Sequence, residues 1–395
     1  MSNEREVVVL SGARTAIGDY GGALKDLAPT ELAGQIIREA VKRAKVDPKA
    51  VGTMVLGNVI HTEAKDMYVS RVACIKAGLP QETTALTVNR LCGSGLQAII
   101  SAAQMIKLGD ADIAVGAGVE SMSRGGYLMP TLRWGQRMSD GNVVDMMVGA
   151  LTDPFDTVHM GITAENIAAQ WKISREQQDE FAVESHRRAI NAIEKGYFKD
   201  QIMPVELKTR KGTTVFDKDE HPRADASVEG MAKLRAVFKK DGSVTAGNAS
   251  GINDAAAAVV LMEKSAAAKK GLKPMARLVA YGHAGVDPKV MGLGPVSAVK
   301  RALAKAGLTL DQIDVIESNE AFAAQALGVS KELGMNGAKV NPNGGAIALG
   351  HPIGATGCIL TIKAMYELQR TGARYALITM CIGGGQGIAA VIERL

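Results

Sequence analysis

The sequence predicts an α/β fold built from two duplicated βαβαβαββ halves stacked in layers, with a long insert in the first half. Strand-like and helix-like segments alternate through both halves in the same order, which is typical of α/β proteins. A similar stretch stands at equivalent places in the two halves, VNRLCGSG at 88–95 and VNPNGGAI at 340–347. Alternation of this kind favours mostly parallel sheets with right-handed crossover connections.

The first half begins with a strand at 6–12, followed by an amphipathic helix that places Leu32, Ile36 and Val41 on one face. Its later elements are a strand at 53–59, a helix near Ser70, a short strand at 85–88, a helix with apolar residues spaced over 96–106 and a strand at 112–118. The closing strand follows only at 254–264, because the segment 122–250 is inserted before it. The insert has its own predicted helix at 174–196, which Ser174 and Gln177 can begin as a capping box.

The second half repeats this order. After a strand at 276–281, a helix begins at Pro295 and ends at Gly307. The remaining elements are a strand at 314–321, a helix at 322–333, a short strand near 340, a helix at 356–370, a strand at 375–384 and a closing strand at 387–395. We therefore expect a first half of residues 1–121 plus 251–273, an inserted domain of residues 122–250, and a second half of residues 274–395.

Composition narrows the class of function. Of the 395 residues, 47% are apolar, which is ample for a large core. The formal net charge of +5 is spread along the chain, so neither a nucleic-acid interface nor a nucleic-acid partner is expected. No apolar run is long enough for a membrane span, and MSNEREVVVLSG lacks a signal-peptide core, so we expect a cytoplasmic protein without a membrane partner.

The chain has four cysteines, and no two of them form a close CxxC pair. A zinc site is therefore not expected, and neither are structural disulfides in a cytoplasmic protein. Each thiol is then either a small core residue or a chemical reagent. Cys92 follows a strand and opens a helix, whose N-terminus can stabilise a thiolate. Gly93 and Gly95 leave room for an acyl group, which makes Cys92 a candidate nucleophile, although close packing is the alternative.

Several other polar residues follow strands or lie in glycine-rich loops, so they can converge at the carboxyl ends of the sheet. His351, between Gly350 and Pro352, is a candidate base for a cysteine nucleophile, whereas His186 is expected on an exposed helix face. Cys381 precedes IGGGQG, whose bare amides suit an oxyanion hole, and a tight hairpin between the two final strands is compatible with this role. A strand rather than a helix follows these glycines, so a dinucleotide or phosphate loop is not favoured.

Four motifs, NRLCGSGLQA, SNEAFAAQA, NGGAIALGHPIGATG and CIGGGQG, occur in this order and together resemble the thiolase family. The resemblance extends through HMGITAEN, MAKLR and TAGNASGINDAA to essentially the full chain, and it points to bacterial β-ketothiolases, including those that supply polyhydroxyalkanoate synthesis. It implies a thiolase-like fold and a reversible Claisen condensation of acyl-CoA through an acyl-cysteine.

The resemblance also implies roles for the candidate residues. Cys92 would carry the acyl group, and His351 would take its proton. Asn319 would hold a water that completes one oxyanion site. Cys381 would remove the α-proton of the second acetyl-CoA. The amides of Cys92 and Gly383 would form the other oxyanion hole, and the neighbouring Glu320 would act through supporting hydrogen bonds.

Coenzyme A is implied as substrate and product, with no permanently bound cofactor and no metal. Family matches place the CoA contacts at His159, Met160, Arg223 and Ser250, and the acyl pocket at Met291 and Phe322, although a core methionine is the alternative at Met291. Gly230 stands where relatives often carry serine, with Ser227 three residues earlier, and the basic stretch KTRKG at 208–212 is either a phosphate clamp or a solvated loop. Relatives are dimers or tetramers, so a homo-oligomer is expected, with a homotetramer as one form.

Two alternative functions remain open from the sequence. A ketosynthase acting on carrier-protein thioesters would have the same fold, but such enzymes usually lack a second reactive cysteine, so Cys381 discriminates against this alternative. A non-catalytic acyl-CoA-binding or lipid-binding relative would have no reactive thiol, so Cys92 would react no faster than Cys74 or Cys358.

Overall fold

The computed structural model describes residues 5–209 and 212–395. Arg210 and Lys211, in the basic stretch singled out above, therefore lie outside the described residues. The strands are β1 Val7–Arg14, β2 Gly18–Asp19, β3 Thr53–Gly57, β4 Thr84–Val88, β5 Ile113–Ser121, β6 Tyr127–Leu128, β7 Val144–Asp145, β8 Val205–Thr209, β9 Gly212–Phe216, β10 Asn253–Glu263, β11 Ala276–Gly285, β12 Val315–Ser318, β13 Tyr375–Ile382 and β14 Gln386–Arg394.

Twelve α-helices connect these strands within the described residues. They are α1 Pro29–Ala44, α2 Val69–Ala77, α3 Ser94–Leu108, α4 Met146–Ala150, α5 Met160–Trp171, α6 Arg175–Glu194, α7 Val228–Ala232, α8 Lys264–Lys269, α9 Gly294–Ala306, α10 Ala323–Leu333, α11 Ala346–Leu349 and α12 Thr356–Thr371. The predicted order of elements is confirmed in both halves. The short strand expected near 340 is reduced to a single bridge between Val340 and Ile316.

Both halves contribute to one continuous sheet, in the order β12-β13-β14-β11-β1-β10-β5-β3-β4, with β2 paired to β10. The halves join where β1 pairs with β11. The expectation of mostly parallel sheets is wrong, because among the strands of the described residues parallel ladders join only β3 with β4, β3 with β5, and β12 with β13. The closing strands β10 and β14 pair antiparallel with β5 and β13, and β1 pairs antiparallel with β10 and β11, so the middle of the sheet is antiparallel.

The helices lie in layers about this sheet. Helix α1 packs on β1, β5 and β10, and α9 packs on β11, β13 and β14. Between the halves, α3 and α12 contact each other and strands of both halves. Strands β1, β5 and β10 are buried along their whole length, as strands covered on both faces are. The core therefore runs continuously through both halves.

The insert packs against the second half. Helices α5 and α6 both contact α10, and the predicted capping box of Ser174 and Gln177 begins α6. A buried ion pair between Arg14 and Asp219, 2.7 Å apart, links the insert to β1. Within the described residues, no helix is long and apolar enough to cross a lipid bilayer.

One expectation about the insert is wrong. His186 on α6 is only 4% exposed, and its Nδ1 accepts a hydrogen bond from the Arg223 backbone N–H at 3.1 Å. The segment after β9 covers this face of the helix. A contact between segments so far apart in sequence cannot be inferred from helical periodicity.

Candidate active site

The predicted site residues come from strand ends and loops of both halves. Strands β12 and β13 are parallel, with Ser318 opposite Thr379, so Asn319 follows the end of β12 beside the last residues of β13, which include Cys381. The Asn319 backbone N–H donates to the Thr379 carbonyl at 2.9 Å. Cys92 stands between β4 and α3, and Gly383 lies in the turn from β13 to β14. The two halves of the chain therefore supply one site.

A tight loop presents Cys92. Leu91 has φ +46°, in the left-handed region, and its N–H donates to Asn89 Oδ1 at 3.1 Å. The Ser94 hydroxyl accepts from the Arg90 N–H at 2.8 Å and donates to the Leu91 carbonyl at 2.7 Å. These bonds hold an unfavourable backbone conformation in place. The Cys92 side chain is 7% exposed and lies in an apolar cluster with Ile60, Met122, Met147 and Ile353.

Burial dominates the protonation of Cys92. Desolvation, with a smaller contribution from the Glu120 carboxylate, raises the pKa of its thiol to about 11, although hydrogen bonds from the Gly383 and Cys92 amides oppose this rise. Burial thus outweighs these amide hydrogen bonds, and the resting thiolate that a helix N-terminus can stabilise is not favoured at Cys92. Cys92 is a thiol at neutral pH, and it needs a base to become a nucleophile.

Cys381 occupies the same region. Its side chain is fully buried in a cluster that also contains Met160, Met291 and Phe322. Burial raises the pKa of the Cys381 thiol, and the charge of Cys92 raises it further, because the two sulfurs are close enough to interact. Only one of them can therefore readily be a thiolate at a time.

His351 has a defined tautomer. Its Nδ1 lies 2.7 Å from Thr356 Oγ1, and that hydroxyl donates its only proton to the Pro352 carbonyl at 2.9 Å. Nδ1 must then carry a proton and donate to Thr356, which leaves a lone pair on Nε2. Burial lowers the pKa of His351 to about 4, so the ring is neutral at pH 7.

The basic face of His351 lies against Asn319. The Asn319 Nδ2 is 3.3 Å from His351 Nε2, whereas the buried Asn319 Oδ1 has no hydrogen-bond partner among the described residues. The backbone of His351 is fixed separately, because its N–H donates to Asn253 Oδ1 at 2.9 Å. His351 is thus held both through its backbone N–H and through its ring Nδ1.

Glu320 lies beside the site but is turned away from it. Its carboxylate accepts from Ser185 Oγ at 2.7 Å, from Asn341 Nδ2 at 2.7 Å and from the Ile347 N–H at 3.2 Å. Burial raises the pKa of Glu320, and these hydrogen bonds lower it. The contacts agree with a supporting role that shapes the glycine-rich loop before His351.

Three residues near the site were missed from the sequence: Thr356, Asn253 and Glu120. Glu120 accepts from the Ile60 N–H at 3.0 Å and the Gly354 N–H at 2.8 Å, and so ties together the loops on either side of Cys92. Burial raises the pKa of Glu120 to about 8, against these hydrogen bonds. Glu120 lies at the carboxyl end of β5. A charged residue at the end of an apolar strand is a sequence signal that could have identified it as a site residue.

Three of the predicted CoA contacts lie where the insert meets the second half. His159 caps α5, with Nδ1 accepting from the Gly161 N–H at 3.0 Å, and its ring stacks on Phe238 at 4.4 Å. Met160 packs closely on Gly383, because a Cβ added to Gly383 would lie only 2.2 Å from Met160 Cε. The Ser250 N–H donates to the Ala321 carbonyl at 3.0 Å.

Arg223 lines a cavity of about 450 Å³, which is bounded mostly by residues of the insert. Ser227 and Gly230 line the same cavity. The Ser227 hydroxyl accepts from the Gly230 N–H at 3.2 Å and lies 3.1 Å from the position that a Cβ on Gly230 would take. A hydroxyl is therefore present beside Gly230 even though the serine of many relatives is absent there.

Family models match nearly the whole chain. The thiolase N-terminal domain matches residues 7–265, and the thiolase C-terminal domain matches residues 272–394. The chain belongs to the thiolase family. The fold expected from the motifs, a thiolase fold with two related halves, is confirmed.

Individual relatives cover this thiolase from end to end. Beta-ketothiolase BktB of Cupriavidus necator is 64% identical over 392 residues, covering 99% of this chain and 100% of that protein. The crystal structure of the Bacillus anthracis acetyl-CoA acetyltransferase is 48% identical, with a TM-score of 0.98 and 99% of both chains covered. Human mitochondrial 3-ketoacyl-CoA thiolase in complex with CoA is 43% identical, with a TM-score of 0.96, covering 99% of this chain and 98% of that chain.

Proposed function

We propose that this thiolase is an acyltransferase that catalyses the reversible Claisen condensation of two acetyl-CoA molecules, or of acetyl-CoA with a short acyl-CoA. The products are a 3-ketoacyl-CoA and free CoA. The observation that supports this most strongly is the convergence of two interacting thiols, Cys92 and Cys381, with two backbone amides directed at the Cys92 sulfur. A ketosynthase or a non-catalytic binding protein is not favoured, because the relatives are named beta-ketothiolase and acetyl-CoA acetyltransferase.

The first half-reaction acylates Cys92. His351 Nε2, the unprotonated nitrogen of the ring, takes the Cys92 proton as the sulfur attacks the acetyl-CoA carbonyl. The negative oxygen of the tetrahedral intermediate is stabilised by the amides of Cys92 and Gly383. The CoA thiolate then leaves and takes a proton from Cys381. The products of this step are acetyl-Cys92, a His351 imidazolium, a Cys381 thiolate and free CoA.

The second half-reaction forms the carbon–carbon bond. The Cys381 thiolate removes an α-proton from the second acetyl-CoA, and its raised pKa makes it a strong base for this task. The His351 Nε2–H and a water held by Asn319 stabilise the enolate oxygen. The enolate attacks acetyl-Cys92, and the departing Cys92 thiolate regains its proton from His351. All three groups return to their neutral forms, and thiolysis follows the same steps in reverse.

CoA serves as substrate and product, and we infer that no cofactor is permanently bound. His159, Met160 and Ser250 would contact CoA where the insert meets the second half, and Arg223 would reach a phosphate from the cavity that it lines. Met291 and Phe322 would line the acyl pocket, since both pack beside Cys381. The three parts of the chain would then have separate tasks. The first half, residues 1–121 plus 251–273, supplies the nucleophile, and the insert, residues 122–250, binds CoA. The second half, residues 274–395, supplies His351 and Cys381.

We further propose a cytoplasmic homo-oligomer, a dimer or a tetramer, that acts in fatty acid metabolism or supplies polyhydroxyalkanoate synthesis. Size-exclusion chromatography with light scattering would measure the oligomeric state directly.

Thiolysis tests the proposed function. Purified protein with CoA and 3-ketoacyl-CoA esters of increasing length should cleave the shortest esters, with loss of the 3-ketoacyl absorbance. Cys92→Ala should lower the rate by several orders of magnitude, because no acyl-enzyme can form. Absence of cleavage by the wild-type protein with every ester, or full activity of Cys92→Ala, would overturn the proposal.

A further inference from the structure

Arg90 links the loop that carries Cys92 to the second half of the chain. Its side chain is half-buried and extends across the boundary between the halves. Nη2 donates to Gln386 Oε1 at 3.1 Å, and Nη1 donates to Gln97 Oε1 at 2.7 Å. Nη1 also lies 2.9 Å from His283 Nδ1. One guanidinium therefore meets three acceptors, two of which belong to the second half.

The contact with His283 is a hydrogen bond to a neutral ring. A guanidinium can only donate, so His283 Nδ1 must accept. Burial and the charges of Arg90 and Lys305 lower the pKa of His283 to about 4. The ring stays neutral at physiological pH, and all three contacts of Arg90 are present there.

The contact with Gln386 reaches the glycine turn. Gln386 opens β14 directly after Gly383, Gly384 and Gly385. Leu91, the residue between Arg90 and Cys92, packs against the same turn, because a Cβ on Gly383 would lie 2.9 Å from Leu91 Cδ1. The Cys92 loop and the turn are thus joined by a polar contact through Arg90 and by an apolar contact through Leu91.

We propose that Arg90 is a positioning residue, which keeps the Cys92 amide and the Gly383 amide aimed at the same acyl oxygen. The two amides come from different halves of the chain, and Arg90 bonds to both segments that carry them. This inference rests on the proposed acyl transfer. Lysine could not replace Arg90, because a single ammonium lacks the planar fork of donors that reaches separated acceptors.

Two reactions of Cys92 separate positioning from general stability. Acetylation by acetyl-CoA passes through a negatively charged oxygen that the two amides must hold, whereas alkylation by iodoacetamide displaces iodide and forms no such oxygen. In Arg90→Gln and Arg90→Lys, the single-turnover acetylation rate of Cys92, followed by mass spectrometry, should fall about 10- to 100-fold. The alkylation rate should fall much less than the acetylation rate, because the two amides hydrogen-bond the Cys92 sulfur but hold no charged oxygen in this reaction. The KM for acetyl-CoA should stay within about twofold of wild type.

Two further variants define the effect. Gln386→Leu removes the partner on the glycine turn and should reproduce the selective loss of acetylation. Gln104→Leu is the matched control. Gln104 lies on helix α3, as Gln97 does, and its Nε2 donates to Tyr281 Oη in the second half at 2.8 Å. This hydrogen bond joins the halves but does not involve the Cys92 loop. Gln104→Leu should leave both rates unchanged.

Three results would overturn the inference. Unchanged acetylation in the Arg90 variants would show that the amides do not depend on Arg90. An equal fall of acetylation and alkylation would indicate a general loss of structure. A wild-type protein that alkylates at Cys92 but never acetylates would overturn the proposed function and this inference with it.

Discussion

At the scale of single residues, the candidate site is neutral at rest. Burial raises the pKa of Cys92 to about 11 and lowers that of His351 to about 4, so we expect the proposed proton transfer between them only as a bond to substrate forms. The sequence indicated both residues as candidates, because Cys92 follows a strand and precedes glycines, and His351 lies in a glycine-rich loop. It did not reveal the neutral thiol, because the helix N-terminus is a local feature, whereas desolvation depends on the apolar side chains of several distant segments.

Thr356 sets the tautomer of His351, and this leads to a prediction. In Thr356→Val the acceptor for Nδ1–H is lost, so the ring can place its proton on Nε2 and turn away from Cys92. We expect kcat for thiolysis to fall about 10- to 100-fold, with KM nearly unchanged, as for other residues that orient a reactive group. Steady-state kinetics of the purified variant measure this directly.

Thr356→Ser serves as the control, since it keeps the hydroxyl, and it should retain most of the wild-type kcat. Equal losses in Thr356→Val and Thr356→Ser would show that the lost methyl group matters and the tautomer does not.

At the scale of elements, the glycine turn between β13 and β14 determines where the Gly383 amide lies. Gly384 and Gly385 have φ values of +82° and +84°, which disfavour any side chain. The sequence predicted a tight hairpin here and placed the reactive residues at strand ends. It could not predict that the middle of the sheet is antiparallel, because alternation of helices and strands does not reveal which strands become neighbours.

The two glycines provide a matched pair of variants. A Cβ at Gly384 would meet open space apart from Phe155 at 4.0 Å, so Gly384→Ala should cost only the backbone strain, about 1–2 kcal/mol of unfolding free energy. A Cβ at Gly385 would lie 2.4 Å from the Val286 carbonyl and 2.8 Å from Pro288 N, atoms of the backbone that cannot turn aside. Gly385→Ala should therefore unfold at a clearly lower temperature and lose more acyl transfer.

Calorimetry and thiolysis assays of both variants test this difference. The same melting temperature and rate in Gly384→Ala and Gly385→Ala would contradict the close packing of the turn on residues 286–288.

At the scale of the whole molecule, duplication was the strongest signal in the sequence, because both halves repeat the same order of elements. The contacts that join the halves and the insert were not predictable, since each pairs residues that are far apart in sequence. Arg90 with Gln386 and Arg14 with Asp219 are two examples. His186 is a third, since its helix face is covered by residues that follow β9.

Burial of His186 predicts a pH-dependent stability. Desolvation, with smaller contributions from His221 and Arg223 and opposed by Asp225, lowers the pKa of His186 from 6.5 to about 4 in the folded protein. Between pH 6.5 and about pH 4, His186 binds a proton more readily in the unfolded chain than in the folded protein, so it makes the fold less stable as the pH falls. The loss is up to about 1.4 kcal/mol per pH unit.

Urea unfolding of wild type and His186→Gln at pH 5, 6 and 7 isolates this effect, because buried carboxylates such as Glu120 and Glu317 contribute equally to both proteins. The wild type should lose stability relative to the variant as the pH falls. Parallel pH dependence in the two proteins would show that His186 is not held neutral by burial.

The division of labour between the two thiols is tested most directly by Cys381→Ser incubated with acetyl-CoA, followed by peptide mass spectrometry and a parallel assay for acetoacetyl-CoA. We expect the acetyl group on Cys92, because the CoA thiolate can leave unprotonated, while condensation falls about 10²- to 10⁴-fold for want of the α-proton acceptor. Condensation at the wild-type rate, or an acetyl group found anywhere but on Cys92, would contradict the proposed mechanism.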